Sequence, residues 1–155
     1  MSNPIEDAHQ ALITRLGQIV PSNGYLTDAG TRIKEGWLAE VLAAEDVAFP
    51  MLLIQPGDYR PADAGPGAVL AGIGRRVVGV VDPGHPDGYR AALDELYVDI
   101  ASCLQVPASV PNPWGRPGPY QVVFEPGKLF PPGDGLNAWT LVFPVQLKIH
   151  IPGKC

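Results

Sequence analysis

The chain has 155 residues, 46% of them hydrophobic and 17% charged, with a net charge of −5 and 18 residues each of Pro and Gly. So much apolar material serves one core and excludes a disordered chain. With Arg75-Arg76 as the sole adjacent basic pair, it also lacks the basic face of a phosphate-neutralising nucleic-acid binder.

At the N-terminus, Asn3, Pro4 and Glu6 form a helix-start signature of cap, proline and first-turn acid. Ile5, Ala8, Leu12, Leu16 and Ile19 then recur at helical spacing, and Pro21 stops the helix. No basic segment with an apolar core follows Met1, so no secretory leader is expected, and no apolar run approaches the ~20 residues of a membrane span. Asn23-Gly24 is a turn signal, Tyr25 and Thr27 favour extended backbone, and Asp28-Ala29-Gly30 suggests a second turn. A short helix is expected at 38–44.

Residues 49–55 read as a buried strand closed by Pro56-Gly57, with Pro50 at its beginning. Little periodicity follows until the β-branched run Arg76-Val77-Val78-Gly79-Val80-Val81. From Asp87 to Leu104 the pattern is helical again, with Tyr89, Leu93, Leu96, Tyr97, Ile100 and Leu104 on one face. A short strand at 121–125 and a closing strand at 139–151 complete the order. In the closing strand Leu141, Phe143, Val145, Leu147, Ile149 and Ile151 alternate with Thr140, Gln146, Lys148 and His150. The expected fold is one α+β domain over 1–155. It has a mixed or antiparallel sheet of about four to five strands, two main helices on one face, and long Pro/Gly-rich loops at 56–75 and 106–119.

Chemical motifs are sparse. His85 lies between Asp82 and Asp87 in a proline-bounded turn, where Asp87 suits an N-cap better than a catalytic role. His9 and His150 have no second ligand at metal-binding spacing. Cys103 falls on the apolar helix, a place for burial and not for activation, and Cys155 is the last residue. Two such cysteines make no disulfide framework and fit a reducing cytosol. Gly65, Gly67, Gly72 and Gly74 hint at a phosphate loop, but a strand follows them where such loops need a helix. No catalytic residue, metal or cofactor is expected. Tyr59, Trp114, Tyr120 and Trp139 sit in or beside Pro/Gly loops, where aromatics either pin a loop to the core or anchor a partner. The expected interface residues are Tyr59, Arg60, Arg75, Arg76, Trp114, Arg116 and Tyr120.

Four patterns taken together resemble the tail terminator and tail completion proteins of tailed bacteriophages. These are the polar segment at 23–30, the apolar strand opening with Pro50, the run 76–81 leading to the helix at 89–104, and the closing strand. The resemblance implies a non-enzymatic virion protein at the head-proximal end of the tail, assembled in the host cytoplasm. It implies a self-associating ring, typically a hexamer, that ends tube growth and binds the tail tube protein and the head-tail connector. DNA would pass through the lumen without specific binding, past carboxylates that repel phosphate. The alternatives are another neck or tube component, or a small enzyme using His85 with Asp82 or Asp87.

Overall fold

The computed structural model describes residues 3–37, 40–41, 48–82, 88–106, 111, 113–115, 117–132 and 138–153. Helix α1 (Pro4–Leu16) begins as its sequence requires: the Asn3 carboxamide oxygen accepts from the Ile5 and Glu6 amides at 3.0 and 3.4 Å, and Pro4 opens the helix. It ends at Gly17, one turn before Pro21, and its stripe of Ala8, Leu12 and Leu16 is buried. Residues 23–30 form no strand. They fold as turns around a left-handed Gly24 and a 3-10 turn at Ala29–Thr31. A β-carbon at Gly30 would lie 2.7 Å from the Leu16 carbonyl oxygen, so only glycine lets this segment lie against the end of α1.

The second helix, α2 (Tyr89–Leu104), locks that segment in place. Its buried Asp99 carboxylate accepts from the Leu26 and Thr27 amides at 2.9 and 2.7 Å and from the Thr27 hydroxyl at 2.6 Å. From α1, the Arg15 guanidinium donates to the Cys103 and Gln105 carbonyls and so satisfies the open end of α2. The two helices are thus tied to each other through polar groups at their C-terminal ends.

Among the described residues the sheet has seven strands: β1 (Ile33–Glu35), β2 (Met51–Pro56), β3 (Arg60–Gly65), β4 (Ala68–Val81), β5 (Gln121–Phe124), β6 (Lys128–Phe130) and β7 (Trp139–Pro152). Its spatial order is β1-β2-β4-β7-β5, with β3 also on β4 and β6 also on β7. The β1–β2 pair is parallel and the other pairs are antiparallel, which makes the sheet mixed. Against the expected four to five strands, β1, β3 and β6 are additional, and two outer ribbons, β2 with β3 and β5 with β6, are each interrupted between their strands. Between β2 and β3, residues 57–59 stand opposite only 73–74 of β4. Between β5 and β6, residues 125–127 stand opposite only 143–144 of β7. Each break inserts one extra residue, as a β-bulge does.

The loop expected at 56–75 is therefore corrected to β3, a two-residue turn and the first half of β4. Proline and glycine obscured these strands because they serve close approach there. A β-carbon at Gly74 would fall 2.1 Å from the Asp58 carbonyl oxygen, and Gly67 turns the hairpin at φ 73°. The loop expected at 106–119 is free of helix and strand at its described positions. Of the short helix expected at 38–44, only Glu40 and Val41 are described, and both are helical.

Helices α1 and α2 cover one face of the sheet. Leu12 and Leu16 of α1 and Leu93, Leu96 and Ile100 of α2 share a core with Leu52, Ile54, Val77, Leu141, Phe143 and Leu147. At Gly79 a β-carbon would meet Leu96 Cδ2 at 2.6 Å, so the missing side chain sets how near α2 lies. On the opposite face Met51, Leu53, Val78, Val80, Ala138 and Val142 form a smaller cluster, partly covered by Val41 and Phe49. Among the described residues, no helix is long and apolar enough to cross a membrane.

Replacing Gly74 with Ala should cost about 1–3 kcal/mol, because the obstructing atoms are backbone and cannot rotate away. Gly67→Asn, in open space at a φ that Asn tolerates, should change stability by less than about 0.5 kcal/mol. Urea denaturation of the two variants beside the parent chain checks both values.

Candidate functional site

One polar cluster joins four parts of the fold. His9, on the sheet-facing side of α1, directs Nε2 to the Glu35 carboxylate at the end of β1, while its Nδ1 accepts from Arg75 Nε at 3.0 Å. Arg75 also donates to the Gly74 carbonyl at 2.8 Å and to the Tyr59 hydroxyl at 3.2 Å, and its guanidinium carbon lies 5.7 Å from the Tyr59 ring centre. This pattern assigns the neutral Nε2–H tautomer to His9. Both ring nitrogens are engaged, so this arrangement leaves the imidazole no vacant lone pair for proton abstraction or metal binding. The cluster instead fastens α1 and β1 to β4 and to the bulge that carries Tyr59, which is itself 56% exposed.

A second feature lies on the face the helices leave open. A groove of about 350 Å³ runs between β3 and β5, over the start of β4 and the middle of β7. Leu70, Val123 and Tyr120 give it apolar walls and are each exposed. Arg60 and Glu125 lie 3.7 Å apart at its rim, where Asp63 and Lys148 add one charge of each sign. Gln146 donates from Nε2 to the Asp58 carbonyl at 3.0 Å, but its Oε1 is buried with no hydrogen-bond partner among the described residues. An orphaned acceptor beside an open groove is a place for a donor brought by something else.

The expected interface residues separate into distinct settings. Tyr59 and Arg75 belong to the polar cluster; Arg60 and Tyr120 line the groove. Arg76 is half-buried in β4 opposite Pro144. Trp114 is 6% exposed, with the Arg15 guanidinium 5.3 Å from its ring centre, a setting in which it pins its loop to α1. Trp139 likewise stacks on Tyr89 with ring centres 3.9 Å apart. Arg116, His85, Asp87 and Cys155 lie outside the described residues. His9 and Glu35 were missed because nothing in the sequence links positions 26 residues apart; His9 beside the apolar stripe of α1 was the only hint.

Other chemical candidates find structural uses. The four glycines of the suspected phosphate loop belong to the β3–β4 hairpin. No group of three or more His, Cys, Asp or Glu capable of holding a metal occurs among the described residues. Cys103 is fully buried and its Sγ–H donates to the Arg15 carbonyl at 3.2 Å. Burial pushes its thiol above the ordinary range, with Tyr25 and Arg15 opposing the shift only in part. Because the shift is upward, the nucleophilic thiolate is depleted in the fold. Iodoacetamide at pH 8 should therefore leave Cys103 unmodified in the native chain and alkylate it after unfolding in urea. Peptide mass spectrometry reads the difference, and rapid native modification would contradict the buried, protonated assignment.

No family model and no curated protein sequence matches the chain.

Proposed function

We propose that the chain is a non-enzymatic structural subunit of a phage tail, a terminator that closes the tail tube as a homo-oligomeric ring. The observation that carries this reading is the unequal treatment of the two sheet faces. Helices bury one face, while half of the other is left with exposed apolar side chains among charges of both signs. Monomers seldom leave such a mixture on a flat sheet without a partner for it. The α+β architecture agrees with the resemblance in sequence pattern, and His9, the histidine nearest a carboxylate among the described residues, has both nitrogens committed to the fold.

In this role the ring, a hexamer by resemblance, presents one rim to the tail tube protein and the other to the head-tail connector. Contacts that close by rotation end growth, and contacts that fail to close continue it. The net charge of −5 suits a lumen through which DNA slides without binding. Assembly would occur in the host cytoplasm, with the finished protein at the head-proximal end of the tail.

Negative-stain microscopy and sedimentation of the purified chain should give discrete closed rings, and added rings should stop elongation of tube protein. Filaments formed by the chain alone would move it to the tube. A chain that stays monomeric at high concentration and has no effect on tube ends would overturn the reading.

A further inference from the structure

We infer that the groove between β3 and β5 is the seat for the β6 edge of a second copy of this chain, with Lys128 and Phe130 as the inserted side chains. This rests on the proposed ring and names the contact that would close it.

The register fixes which side chains share a face. Lys128 pairs with Val142 and Phe130 with Thr140, while Val123 pairs with Gln146 and Gln121 with Lys148. Residues directly opposite each other in an antiparallel pair project to the same side. Lys128 and Phe130 therefore project from the same face that carries the groove, one strand segment further along β7. Both residues are exposed, Phe130 by 45%, on a three-residue strand at the outer boundary of the sheet. Pairing with β7 holds β6 beside its own groove and prevents it from folding in. Only a neighbouring molecule can bring these side chains there.

The chemistry on the two sides is complementary. The groove offers Leu70, Val123 and Tyr120 as apolar walls, which suit a phenyl ring. It carries the carboxylates of Asp63 and Glu125, which suit an ammonium group. Its buried Gln146 Oε1 has no donor among the described residues, and a lysine ammonium supplies three while a phenyl ring supplies none. Arg60, now 3.7 Å from Glu125, is long enough and exposed enough to swing aside and share that carboxylate. The contact uses one patch as donor and a different patch as acceptor. It is therefore heterologous, the kind of contact that produces a ring when its rotation closes.

Three versions of the full chain test this: wild type, Lys128→Glu/Phe130→Ser on the edge, and Val123→Asp in the groove. Circular dichroism and thermal melting first establish that both variants fold, as surface changes on exposed residues should allow. Native mass spectrometry then reads the oligomers. Each variant alone should lose rings by at least tenfold. An equal mixture of the two should form dimers, one intact groove meeting one intact edge, but no rings. Wild-type rings with variants that also form rings would sink this contact and leave the proposed function standing. Wild type that never forms rings, alone or on tube ends, would sink both. Mixtures that restore full rings would show that the contact is not head-to-tail, which also overturns the inference.

Discussion

The fourteen-residue antiparallel ladder between β4 and β7 is the constraint on which the rest depends. It joins Ala68–Val81 to Trp139–Pro152 without a register shift, and every other strand except β1 hangs on one of its two free edges. Strict alternation along β7 sends Leu141, Phe143, Val145, Leu147 and Ile149 to the helix side and Thr140, Val142, Gln146 and Lys148 to the other. One register therefore decides both the core and the open face. A slip by a single residue would bury Lys148 and expose Phe143 at the same time.

The helices add a second constraint of a different kind. Their apolar stripes bring them to the sheet, but polar ties decide how they sit. Asp99 holds the 26–27 backbone, Arg15 closes α2, and the His9–Arg75 pair links α1 to the centre of the ladder. Leaving any of these buried partners unmatched would cost more than forming the bond gained, which is why such groups specify orientation more sharply than they add stability. The segment at 23–30, conspicuous in sequence for its turn residues, turns out to be the joint at which α1, α2 and β1 meet.

How much of this was legible follows from the range of the interactions. The α1 cap at Asn3, the apolar stripes of both helices and the alternation of β7 are local patterns, and each reads directly from neighbouring residues. β3 and the first half of β4 were hidden, because Arg60-Pro61-Ala62-Asp63-Ala64-Gly65 has loop composition and is a strand only through its pairing with 68–72. Gly72 and Gly74 hinted at a phosphate loop, yet their lack of side chains makes room for Arg60 and Asp58 across the bulge. At the surface, Tyr59, Arg60, Arg75 and Tyr120 were legible as aromatic and arginine positions near loops. Their division between a structural tie and an open groove depends on tertiary geometry, as does the burial of Trp114. Neighbouring letters cannot encode a contact that spans sixty-six positions, as that between His9 and Arg75 does.

The two interrupted ribbons have a consequence for edge-to-edge pairing. Proteins that leave long, flat strand margins exposed invite indiscriminate stacking with their own kind, as fibrils do. Here the outer margins are short pieces of three to six residues, offset by the extra residue at 57–59 or 125–127, and one piece carries Pro61. Among the described residues, no piece is long enough to template another molecule's backbone over many residues. A molecule meeting these margins would find side chains before it found a continuous row of free amides and carbonyls.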